Sequence, residues 1–134
     1  MRMRDAALNR IIAALFVLHL GTIFAVCAKA PPTLSPAGAA AFHATQVVKA
    51  LDVLRDFAIS ANAQAPPLIS TADTRKIVDF HESAVKTIGA VPAGWRNIVA
   101  VGLAQLQHDL PAAVWTRLAP YAALVTALIE SFPR

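Results

Sequence analysis

The sequence predicts an all-α protein: a small, mostly antiparallel bundle of four helices, or five if Pro120 divides the last, preceded by an N-terminal apolar helix. Three observations carry this expectation. Alanine supplies 29 of 134 residues, and it has the highest helix propensity because ordering it loses no side-chain entropy. From Pro36 onward the apolar residues recur at the three- and four-residue spacing of a helix face rather than alternating as strands do. Turn-forming clusters rich in proline and glycine separate these periodic stretches.

The chain opens on MRMRDAALNR, in which Arg2, Arg4 and Arg10 are opposed only by Asp5. An uncharged run follows from Ile11 to Ala28. A positive region ahead of an apolar one is the order of an export signal. Eighteen helical residues also reach about 27 Å, just enough for a bilayer crossing. Residues 1–30 are therefore expected to be a signal peptide or a membrane anchor. Ala25-Val26-Cys27 and Ala28-Lys29-Ala30 both offer small residues for cleavage, but Pro31 follows the second directly. The bulky Phe24 and Val26 before Cys27 argue against a lipid-modified cysteine. Retained or cleaved, the segment sends everything beyond about residue 30 out of the cytoplasm, because the basic end stays inside. The expected location is the cell envelope, on the exported or periplasmic side, anchored in the inner membrane if the segment is retained.

Residues 31–35 read as a stiff proline-containing spacer, and 36–134 as the helical domain. Ser35 followed by Pro36 is a favourable cap and first-turn pair. The first domain helix should run from Pro36 to about Ala61, with Val47, Leu51, Leu54, Ala58 and Ala61 on its buried stripe. The double proline of QAPPLIS ends it. Ser70 and Asp73 have capping-box spacing and start a second helix over Thr71–Ile88, with Ile77, Phe80, Ala84 and Ile88 facing inward. Gly89 to Gly94 separates this from a third helix, Trp95 to Asp109, whose core ridge is Val99, Leu103, Leu106 and Leu110. Gly102 within it lowers propensity but permits a close crossing. Pro111 opens the final region, where Pro120 predicts a kink or two helices. Its uncharged stretch, Leu118 to Ile129, is too short to span a membrane and suits a buried helix.

The net charge of +4 does not make a nucleic-acid footprint, because the excess sits at the N-terminus. From Pro31 onward eight basic residues face seven acidic ones, which leaves no concentrated positive surface for phosphates. Cys27 is the sole cysteine and rules out an intrachain disulfide.

No catalytic residues are assigned, and no metal ligands or cofactor. Asp79-Phe80-His81-Glu82, flanked by Lys76 and Lys86, reads as a solvated helix face. His43, His81 and His108 lack the close pairing that metal binding uses, since none has a histidine or cysteine three or four residues away. There is no GxSxG, P-loop or GxGxxG pattern. An enzyme would need groups distant in sequence to converge, such as His81 with Asp109 or Arg96.

The interaction candidates are Trp95 with Arg96 and Trp115 with Arg117, because a tryptophan beside an arginine combines a large desolvated ring with directional charge. Core packing is the plainer role for both rings. The functional expectation is a non-enzymatic exported or membrane-tethered module that binds an unidentified envelope protein or itself. Uncleaved, it would touch the membrane through Ile11 to Ala28. The alternative is an apolar-ligand or lipid-binding module, with Phe57, Phe80 and Tyr121, joined by Trp95 and Trp115, lining a cavity between helices.

Overall fold

The computed structural model describes residues 30–131. The chain divides after Leu34, and the helical unit begins at Ser35. The apolar segment 11–28, its cleavage sites, Cys27 and Phe132 lie outside the described residues. Within them are four helices and no strand: α1 (Pro36–Asn62), α2 (Thr71–Ala90), α3 (Trp95–Asp109) and α4 (Ala112–Ser131).

The caps expected of the sequence start α1 and α2. The Ser35 hydroxyl oxygen accepts from the Gly38 N–H at 3.1 Å, and that of Ser70 accepts from the Asp73 N–H at 3.1 Å. The box at α2 closes differently from the usual form: the Ser70 hydroxyl donates to the Asp73 carboxylate at 2.8 Å. Asp73 also draws in Lys76 at 3.3 Å. That ammonium donates to the Asp109 carbonyl at 2.9 Å, so α2 places a positive charge at the negative end of α3. Between α1 and α2, the Asn62 side-chain amide donates to the Ile69 carbonyl at 3.0 Å, which holds the loop so that Ile69 enters the core. Gly94 begins α3 with φ +101°, a left-handed conformation that glycine adopts without a Cβ clash.

The helices form a bundle in which α1 packs against α2 and α4, and α2 packs against α3. The core centres on Leu51, Leu54, Ile77, Leu118, Leu124 and Val125, all nearly inaccessible. Every residue of the expected α1 stripe is buried, as is the α3 ridge. In α2 the inward positions are Ile77, His81 and Ala84, while Phe80 and Ile88 lie at the margin. Phe80 rests on Gly102: a Cβ built on that glycine would meet the ring at 3.1 Å, so α2 and α3 use the missing side chain to approach.

The last region takes the four-helix alternative. It is one element with Pro120 inside it, not two helices meeting near Ala119. Pro120 is solvent-exposed, so the Thr116 carbonyl that its missing N–H leaves without a helical donor lies near water. The full helix of 20 residues is also long and apolar enough to cross a membrane, whereas the uncharged stretch alone is not. Its apolar face, including Val114, Leu118, Tyr121, Leu124 and Val125, is nevertheless committed to the core.

Candidate interaction groove

The contact between α3 and α4 is the thinnest of the bundle's principal helix contacts, and it opens outward as a groove of about 500 Å³. Alanine is the reason. Ala100 and Ala104 on α3, and Ala119, Ala123 and Ala127 on α4, line it, and side chains ending at Cβ cannot fill the angle between two cylinders about 10 Å across. Leu103 and Ala122 form part of the floor, because both are buried. Trp115 is its one aromatic member among the described residues, and Gln107, Thr126 and Glu130 are its other polar-bearing residues.

The polar members do little to reduce its apolar character. Thr126 donates its hydroxyl to the Ala122 carbonyl at 3.0 Å within its own helix, as Thr116 does to Ala112 at 2.9 Å. Their donors are therefore satisfied whatever occupies the groove. Among the described residues, Glu130 is the sole charged member of the lining.

The aromatic candidates separate. Trp115 lines the groove and is half-buried, while its neighbour Arg117 is exposed elsewhere on α4. Trp95 is buried at the start of α3, and the Arg96 guanidinium lies 5.7 Å from its ring centroid. This pair is an intrachain cation–π contact. Arg96 also acts across to α1: His43 has its pKa lowered, first by burial and then by the Arg96 charge. Phe57 and Tyr121 stack with centroids 4.6 Å apart and planes 26° from parallel, which joins α1 to α4. Burial there raises the Tyr121 phenol to about 12. Phe57, Phe80 and Tyr121 lie outside the groove lining, and Phe80 belongs to the Gly102 crossing.

A polar cluster unforeseen in the sequence lies between α1 and α2. His81 is 6% exposed, and its Nε2 sits 2.7 Å from Asp52 Oδ1, so the reading of 79–82 as a solvated face fails at this position while Asp79 and Glu82 remain exposed. Arg55 approaches the same nitrogen at 3.4 Å and pairs with Asp52 at 3.4 Å and Asp56 at 2.8 Å. His81 Nδ1 is buried with no hydrogen-bond partner. An N–H sealed away without an acceptor is strongly unfavourable, and the short contact places the ring proton on Nε2, donated to Asp52. The imidazole's one donor is thus committed, and no member of the cluster opens into the groove. Arrangement and burial make it a tie between helices. Asp109, the partner considered for His81 from sequence, instead meets His108 at 3.2 Å and Gln105 at 2.9 Å, which hold its carboxyl below the usual range.

Comparisons with family models, curated proteins and solved structures find no match for this chain.

Proposed function

We propose that this chain is a non-enzymatic, exported or membrane-tethered helical module that docks an apolar helix of a protein partner along the α3–α4 groove. The observation that carries the reading is the alanine lining of that groove. A wall of methyl groups lets another helix approach to the short end of the usual 8–10 Å interaxial range. It offers broad contact with few polar groups to desolvate. Export rests on the apolar run near the N-terminus, which Arg2, Arg4 and Arg10 precede.

A second reading, capture of an apolar small molecule or lipid chain, draws support from the groove's volume of about 500 Å³, since ligand sites generally measure about 300–1,000 Å³. The way the groove lies open along both helices favours a helix over an enclosed ligand.

Both parts are testable on the full chain expressed in its native cell. Intact mass after separation of membrane and soluble fractions reports the export step: the expected product is either shortened by about 27–30 residues or full length and confined to membranes. A full-length product in the cytoplasm defeats this part. For docking, a photoreactive amino acid at Ala104 should cross-link to protein, and Ala123→Arg should abolish the product. Cross-linking to lipid alone selects the second reading; none at all defeats both.

A further inference from the structure

We infer that the occupant of the groove is the α4 helix of a second copy of this chain, packed antiparallel about a two-fold axis. The inference rests on the docking reading above and names its partner. On the outward face of α4, Ala112, Thr116, Ala119, Ala123, Thr126 and Glu130 follow one another at intervals of 4, 3, 4, 3 and 4 residues, the spacing of a helix–helix seam. None is buried within the chain, and Ala119, Ala123, Thr126 and Glu130 already line the groove.

The order of this stripe is self-complementary. An antiparallel copy centred level with Tyr121 sets Ala119 against the partner's Ala123 and Thr116 against the partner's Thr126. It also sets Ala112 against the partner's Glu130. Small residues then meet small residues at every inner position, which lets the two axes approach closely. Both threonine hydroxyls are already donated within α4, so the apolar contact leaves no hydroxyl proton stranded.

Charge fixes this register. The first turn of α4 contains no acidic residue, although the positive end of a helix dipole favours one there. In the antiparallel pair Glu130 of each copy supplies that missing acid to the other. The two carboxylates remain about 27 Å apart, from a rise of about 1.5 Å per residue over the stripe, several screening lengths at physiological salt. A parallel pair would instead bring the two Glu130 side chains together. Because the stripe borders the α3–α4 angle, each α4 in the pair also lies along the partner's Ala100 and Ala104 wall.

The test is sedimentation equilibrium of the full chain in mild detergent, with helicity followed by circular dichroism. The expected mass is twice that of the 14.2 kDa chain. Ala123→Arg should leave a helical monomer. Glu130→Lys and Ala112→Glu should each weaken the dimer by about 3- to 30-fold, from two symmetric charge–dipole contacts of ordinary size. Combining the two substitutions puts the introduced acid of one copy opposite the introduced base of the other. The double variant should therefore recover affinity to within about 3-fold of the parent, a rescue that depends on this register. A monomeric parent, or a dimer indifferent to Ala123→Arg, overturns the inference. If the monomer still cross-links from position 104 to a different protein, self-pairing fails and docking stands. If it cross-links to no protein, both fail.

Discussion

At the scale of single residues, the His81–Asp52 pair shows how unequal the two ends of a hydrogen bond can be. His81 is buried, whereas the Asp52 side chain is 39% exposed. Removing the carboxylate by Asp52→Ala leaves a buried N–H unpaired, a loss of about 1–3 kcal/mol. Removing the imidazole by His81→Leu leaves a carboxylate that still meets water and Arg55, and it replaces a ring carrying an unpaired Nδ1 with an apolar group of similar reach. Urea denaturation should therefore show Asp52→Ala less stable by about 1–3 kcal/mol and His81→Leu within about 1 kcal/mol of the parent or better. Equal losses would mean that the pair itself, rather than the satisfaction of His81, carries the stability. The sequence held a signal for this residue. His81 stands four after Ile77 and three before Ala84, on the helix face that both buried residues define, but Asp79 and Glu82 on either side make the local composition look solvated. Phe80, the bulkier neighbour, is the more obvious inward residue until Gly102 shows that it packs at a helix crossing instead.

At the scale of elements, capping and periodicity make helix boundaries readable. Gly94 and Leu110 bracket α3, and its bounds of Trp95 and Asp109 follow from turn chemistry on both sides. Pro120 is the exception, because proline propensity is a local quantity while the continuity of α4 is decided by packing. Val114, Leu118, Tyr121, Val125 and Leu128 form a buried face on both sides of the proline, and splitting the helix would misalign one half of that face. The ring itself lies on the exposed side. Pro120→Ala should consequently raise stability by about 2–3 kcal/mol: the interior proline penalty is about 3 kcal/mol, offset by the restriction proline gives the unfolded chain, about 0.4–1 kcal/mol. The midpoint of urea unfolding measures this directly. A decrease would show that the proline ring, or the backbone curvature it imposes, is needed by the packed face.

At the scale of the whole molecule, the groove was hidden for a reason that also governs its use. Ala100, Ala104, Ala119 and Ala123 belong to two helices, and alanine stands both in the core and on exposed faces of this chain, as Ala58 and Ala123 do; only the placement of α3 beside α4 turns these residues into one lining. Periodicity could identify each helix's buried ridge without disclosing the unfilled angle between them. An open angle is also a stability reserve. Ala104→Leu adds about three methylene-sized groups over neighbouring apolar surface, at about 0.8 kcal/mol for each one fully buried, and partial burial reduces the gain to about 1 kcal/mol. Leucine is nearly as good a helix former as alanine, so little opposes it. The variant should unfold at slightly higher urea concentration while cross-linking at Ala123 falls sharply, because the added side chain occupies the partner's place. A chain that becomes more stable as its partner is shut out has a surface kept open for docking. If cross-linking persists unchanged in a stabilised variant, the partner does not enter between α3 and α4, and the unfilled angle is merely the consequence of two alanine-rich helices meeting.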